Sequence, residues 1–222
     1  IENGTSRINL KIRSDVESEI NGMGPVIRKE DLELLYEQLD TLKDDDVLVL
    51  AGSIPSGMPQ SIYRDIMSRL QSKRIKIAVD ATKDLLMNVL AYHPFVIKPN
   101  NHELSEIFDI MIDSKEKAVV YAKELQKKGA QNVIVSMAGE GAVFVGSDGS
   151  VFTSEAPHGV VKNSVGAGDS MVAGFLAGYL AKGDYAEAFK MGLCTGSASA
   201  FSDQLATREE VEQVRRSHIF DF

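Results

Sequence analysis

From residue 46 onward the chain repeats one pattern. A short apolar run rich in β-branched residues is followed by a Gly, Pro or Asn break, then by a stretch whose apolar residues stand three and four apart, as in successive βα units. Val47-Leu48-Val49-Leu50-Ala51 reads as a buried strand, and 59–71 carries Ile62, Ile66, Met67 and Leu70 at helical spacing. Residues 75–79 predict the next strand, 83–90 the next helix, and Phe95-Val96-Ile97 a third strand. A helix starting near Asn101 and another over 114–128, stopped by Gly129, lead to a strand at 132–136. The runs 142–145 and 150–153 flank Gly146-Ser147-Asp148-Gly149 and read as a hairpin. Helices over 168–181, 185–201 and 208–216 close the chain.

The first 25 residues differ. Ile8, Leu10 and Ile12 alternate with Arg7, Asn9 and Lys11, the pattern of a strand with one solvated face in a small separate sheet. The expected organisation is therefore a small β unit at 1–24 and an α/β domain at 25–222 with a mostly parallel sheet between helices. Ligands in such folds bind beyond the carboxyl ends of the strands, which directs attention to the loops after Leu50, Val79, Ile97 and Val135.

Composition narrows the class. Hydrophobic residues make up 44% of the chain and charged residues 25%, so it can build a core and is neither a disordered nor a disulfide-framed sequence. The net charge of −8 counts against nucleic acid and anionic membranes as partners. The longest apolar stretch, 171–181, falls short of the ~18 residues of a membrane span, and Gly174 and Gly178 within it read as close helix packing. A single cysteine, Cys194, excludes an intramolecular disulfide and reads as a buried, inert thiol in a cytoplasmic protein.

The strongest chemical signal is Asn163-Ser164-Val165-Gly166-Ala167-Gly168-Asp169-Ser170, which runs straight into a helix. A loop of small residues opening a helix leaves backbone N–H groups aimed at one spot with the helix dipole behind them, which makes an anion hole. Asp169 at its lip can take a proton from an attacking hydroxyl, or can be an ordinary first-turn acid. Asn100 and Glu103 read as a helix cap, with Asn100 or Asn101 at the N-cap and Glu103 in the first turn. Ser136-Met137-Ala138-Gly139-Glu140-Gly141 follows a strand but is neither a G-x-G-x-x-G nor a Walker A loop. His102 reads as a surface or capping residue, with no second His or Cys at metal spacing.

The stretch 163–176, NSVGAGDSMVAGFL, resembles the carboxyl-terminal signature of the ribokinase-like carbohydrate kinases, the PfkB family. Lys98-Pro99-Asn100-Asn101-His102-Glu103 resembles that family's KPN and NxxE motifs, and Gly52-Ser53-Ile54-Pro55 its GS(L/I)P turn. The segment Gly4-Thr5-Ser6-Arg7-Ile8-Asn9-Leu10-Lys11-Ile12, with Glu19-Ile20-Asn21-Gly22, is similar to the lid strands of the 1-phosphofructokinase and tagatose-6-phosphate kinase branch.

The resemblance implies a ribokinase-like three-layer sandwich with a small β lid, and transfer of the γ-phosphoryl group of ATP to a phosphosugar. Fructose 1-phosphate is the expected acceptor, and tagatose 6-phosphate the alternative. It implies Asp169 as base, Gly166, Ala167 and Gly168 as anion hole, and Asn100 and Glu103 as holders of Mg²⁺. Ser136, Met137, Ala138, Gly139, Glu140 and Gly141, with Gly168 and Asn100, would line the ATP site, and Arg7 and Asn9 would meet the sugar phosphate. A homodimer joined through the lid strands is expected as well. Members of the family begin with a further third of a domain that carries the sugar-hydroxyl ligands. This chain opens at Ile1, inside the expected lid, so an amino-terminal portion is expected to be missing from the sequence; were the chain whole, the alternative would be a non-catalytic nucleotide-binding protein.

Overall fold

In the computed structural model residues 5–12, 18–22, 24–55 and 57–222 are described. In chain order the elements are β1 (Asn9–Ile12), β2 (Ser18–Asn21), α1 (Lys29–Asp40), β3 (Val47–Ala51), α2 (Ile62–Leu70), β4 (Lys76–Asp80), α3 (Lys83–Met87), β5 (Val96–Ile97), α4 (Asn101–Phe108), α5 (Lys115–Lys127), β6 (Asn132–Ser136), β7 (Ala142–Val145), β8 (Val151–Ser154), α6 (Ala167–Lys182), α7 (Tyr185–Phe201) and α8 (Arg208–Ser217). Six strands form one sheet in the order β3-β4-β5-β6-β7-β8. The first four run parallel, and β7 and β8 add an antiparallel hairpin at one side.

Strand side chains alternate between the two faces and so sort the core into layers. On one face Ile77, Val79, Ile97, Val133, Val135, Val143 and Val145 pack with Leu39, Ile66, Leu70, Leu86, Leu104 and Leu125 from α1 to α5. On the other, Ala78, Val96, Ile134 and Phe144 meet Phe175 and Leu176 of α6 and Phe189 and Leu193 of α7. This is the three-layer α/β arrangement the pattern predicts. Gly174 and Gly178 do serve close packing: a methyl group on Gly174 would stand 2.5 Å from Thr195 Oγ1 and 2.7 Å from the Met191 carbonyl oxygen of α7. Among the described residues no helix is long and apolar enough to cross a membrane.

Three details depart from the reading of the sequence. Helix α1 was not anticipated, although Leu32, Leu35, Tyr36 and Leu39 carry helical spacing and the Asp31 carboxylate caps the first turn by accepting from the Arg28 amide at 3.0 Å. The strand β3, expected to be buried, is the sheet's edge among the described residues, with Val49 46% exposed. The helix expected over 83–90 stops at Met87, and a single 3₁₀ turn, Leu90–Tyr92, follows, closed by His93 in the left-handed region at φ 54°.

β1 and β2 pair antiparallel, Asn9 opposite Asn21, and form a two-stranded sheet separate from the large one. Residues 1–4, 13–17 and 23 of the expected lid lie outside the described residues.

Candidate active site

Helix α6 begins with open donors. Gly166, at φ +80°, turns the chain into the helix without a side chain to cap it. The Ala167 amide donates inward to the Ser164 carbonyl at 3.2 Å and the Ser170 amide to Gly166 at 2.8 Å. The amides of Gly168 and Asp169 find no acceptor among the described residues. Of the predicted anion hole, Gly166 therefore supplies the turn, Ala167 braces it, and Gly168 with Asp169 presents the free N–H groups at the positive end of a helix of 16 residues. The loop is fixed from behind. Ser199 Oγ donates to the Ser170 hydroxyl at 2.9 Å, and the amides of Lys162 and Asn163 both donate to the Ala200 carbonyl of α7.

On one side of this turn lies a cleft of about 590 Å³. Asn100, Asn101 and His102 at the start of α4, Ser136, Ala138, Gly139 and Gly141 after β6, and Ser164, Ala167 and Gly168 line it, so most of the predicted nucleotide residues come together. An isolated parallel bridge between Asn100 and Ser136 joins the first two groups. Met137 and Glu140 do not line the cleft: the Met137 side chain is 3% exposed in the core, and Glu140 closes the 3₁₀ turn Ala138–Glu140. Gly141 stands at φ +91°, where a Cβ would overlap the Ser154 carbonyl oxygen, so only glycine lets the loop lie this close to the strand. The far wall escaped the sequence reading. It consists of Glu155, Ala156, Pro157, His158, Gly159 and Val161 after β8, with Met171, Gly196, Ser197, Ala200 and Phe201 on α6 and α7. A stretch such as Ala156-Pro157-His158-Gly159 reads as a plain loop, and small residues on α7 read as packing.

Asp169 is exposed and does not line that cleft. It lies near the carboxyl end of β4, close enough to Asp80 for the two charges to interact. Burial pushes the Asp80 carboxyl above the usual carboxylate range, the Lys98 ammonium 3.3 Å away pulls it back, and the charge on Asp169 adds to the rise. The Gly52 amide donates to the Asp80 carbonyl at 3.0 Å, and Arg7 Nη1 donates to Ser53 Oγ at 3.1 Å. Arg7 on the β1 side is thus brought to the Gly52-Ser53 turn. Asn9 is exposed on β1.

Asn100 and Glu103 form a reciprocal cap on α4. The Glu103 amide donates to Asn100 Oδ1 at 2.8 Å, and the Asn100 amide donates to Glu103 Oε2 at 2.8 Å. The capping role foreseen from the sequence is real, and it leaves Glu103 Oε1 outside that cap. Among the described residues no group of three or more His, Cys, Asp and Glu gathers at metal-binding distances. Cys194 is fully buried, as expected.

The first turn of α6 thus lies beside the cleft through Ala167 and Gly168 and close to Asp80 through Asp169. Comparison with known proteins identifies the family. Residues 2–210 match the model of the pfkB family of carbohydrate kinases. The 1-phosphofructokinase of Bacillus subtilis (strain 168) is 44% identical over 211 residues, which cover 95% of this chain and 69% of that protein. The D-tagatose-1-phosphate kinase of Bacillus licheniformis is 30% identical over 211 residues, 95% of this chain and 69% of its own length. A provisionally assigned phosphofructokinase from Staphylococcus aureus, 37% identical in sequence, superposes with a TM-score of 0.85 over 94% of this chain and 68% of its own. The chain belongs to the pfkB family of carbohydrate kinases, phosphotransferases of ribokinase-like fold.

Proposed function

We propose that this protein transfers the γ-phosphoryl group of ATP to the 6-hydroxyl of fructose 1-phosphate, giving fructose 1,6-bisphosphate. The observation that carries the reading is the place of Asp169 and the open Gly168 and Asp169 amides, at the junction of a nucleotide-sized cleft and the Arg7–Ser53 turn. A 1-phosphofructokinase relative at 44% identity supports the sugar.

In this reading the nucleotide lies in the cleft with its phosphates toward α6. Asp169, exposed at the lip, takes the proton of the attacking hydroxyl, and the two free amides with the helix dipole stabilise charge on the group in transit. Arg7 holds the sugar's own phosphate, for which a guanidinium offers a fork of donors and Ser53 a further hydroxyl; Asn9 lies beside it on β1. Mg²⁺ supplies charge neutralisation at the nucleotide phosphates when bound. Glu103, through the oxygen its cap does not use, and Asn100 would hold it with waters, the sparse protein ligation this hard cation favours.

The tagatose alternative stays within the same chemistry. The relative that bears on it is named for the 1-phosphate and not the 6-phosphate, and it is the less similar of the two at 30%. Exposed Ile8 (76%), Leu10 (53%) and Ile20 (58%) on a two-stranded ribbon, which is marginal alone, support pairing of that ribbon with a second copy. The ATP-dependent chemistry and the unpaired, buried thiol of Cys194 fit the cytoplasm.

Replacement of Asp169 by Asn tests the base. The account expects kcat to fall about 10² to 10⁴-fold with the KM for MgATP nearly unchanged. Near-normal turnover by the variant would remove Asp169 from that role.

A further inference from the structure

Tyr63 is the second residue of α2, a helix that Ile62, Ile66, Met67 and Leu70 bury in the core. Its ring packs against the same core, so its hydroxyl is carried at a fixed place. That hydroxyl donates to the Ala51 carbonyl at 2.7 Å and shares its proton with the Gly52 carbonyl at 3.1 Å. Ala51 and Gly52 are exposed residues, so solvent is at hand for both carbonyls, and the phenol is not there to offset their desolvation. What it adds is a fixed direction for the chain as it leaves β3. Gly52 stands at φ +85°, and nothing lies within 4 Å of a Cβ built on it, so neither a side chain nor packing holds the turn at this point. Among the described residues two bonds tie Gly52 down, its amide to the Asp80 carbonyl at 3.0 Å and the phenol from α2 to its carbonyl. Burial and the negative charge of Asp80 raise the Tyr63 pKa above its ordinary value, so the phenol keeps the proton it donates.

The group that this turn presents is the Ser53 hydroxyl. Its oxygen accepts from Arg7 Nη1 at 3.1 Å, and no acceptor for its own proton is seen among the described residues. A hydroxyl that accepts from a guanidinium is polarised into a better donor, and the pair offers an anion adjacent O–H and N–H groups. We propose that Tyr63 is a positioning residue for the acceptor's phosphate: by holding the Gly52 carbonyl it aims the Ser53 hydroxyl, and the Arg7 guanidinium bonded to it, at that phosphate. The proposal rests on the phosphosugar reading above for the identity of the anion. It assigns a task to a side chain that touches neither substrate, and no proton leaves the phenol during the reaction.

The test is calorimetric binding of fructose 1-phosphate and of ATP to the full chain, with turnover measured in parallel, for wild type, Tyr63→Phe, Ser53→Ala and the double variant. Phenylalanine keeps the ring against the core and removes the hydroxyl alone. For Tyr63→Phe the expected result is fructose 1-phosphate affinity weaker by about three- to tenfold, the usual loss for one hydrogen bond, with ATP affinity unchanged. Because Tyr63 acts through Ser53, its replacement should cost less than about twofold once Ser53 is alanine. A merely structural tyrosine would lower both affinities, or would add its full loss to that of Ser53→Ala. Either of those results, or fructose 1-phosphate bound by Tyr63→Phe at wild-type strength, would overturn the assignment. Wild-type protein that binds fructose 1-phosphate but phosphorylates no sugar would remove the functional reading and leave this comparison of affinities standing; wild-type protein that binds no fructose 1-phosphate would overturn both.

Discussion

Cys194 shows how far one side chain's surroundings can be read in advance. Its thiol sits among Ala198, Val211 and Val214, and burial pushes its pKa up from 9.0 to about 11. Because the folded protein holds this proton more tightly than the unfolded chain, its contribution to stability is fully present below the unfolded pKa and is lost as pH rises through about 11. A thiol reagent at pH 8 should therefore leave Cys194 untouched in the native protein and modify it once denaturant is added; rapid labelling of the native protein would contradict its burial. The apolar run around Cys194 made this legible, and the loop 163–170 announced the open amides at the start of α6 for the same reason, since both depend on residues adjacent in sequence. The pairing of Lys98 with Asp80 beneath Gly168 was not legible. It joins three separate elements, and a lysine before a proline carries no sign of where its ammonium ends.

At the scale of elements, the helices that close the site depend on a few charges. Glu187 in the first turn of α7 accepts from Lys182 Nζ at 2.9 Å and also pairs with Arg215 of α8, so it ties α6, α7 and α8 together. The bond from Lys182, together with the charge of Arg215, holds its carboxyl below the usual range against the opposing effect of burial. A depressed carboxylate contributes stability above its unfolded pKa and loses it as pH falls through the folded value. Glu187→Gln should accordingly destabilise the protein at pH 7 by about 1 to 3 kcal/mol and flatten the loss of stability below about pH 4.5, measured by urea unfolding across pH. An unchanged acid limb would show that the network adds nothing. Most of the element pattern followed from apolar spacing, including both strands of the β7–β8 hairpin and the whole of α7. Helix α1 lay outside the repeating βα pattern, although its apolar spacing was present. The exposure of β3 could not be read at all: an edge strand and a central one share the same apolar run when what flanks them is settled by topology.

For the whole molecule, what matters is which elements meet at one end of the sheet. The parallel strands deliver Ser53, Asp80, Lys98 and Ser136 to one end of the sheet, and α6 points its amino terminus into their midst, as ligand sites in open α/β sheets require. Arg7, two residues before β1, reaches this end through Ser53. If that guanidinium reads the sugar's phosphate, Arg7→Met should raise the KM for phosphosugars about tenfold or more and leave the KM for MgATP nearly unchanged; equal effects on both would mean that Arg7 only braces the turn.

The central claim concerns the acceptor, and the most direct measurement is ADP release from MgATP with fructose 1-phosphate, a tagatose phosphate, fructose 6-phosphate or unphosphorylated fructose. The account predicts the highest kcat/KM with fructose 1-phosphate and little turnover without a phosphate on the sugar. Equal or better turnover of unphosphorylated fructose would contradict it.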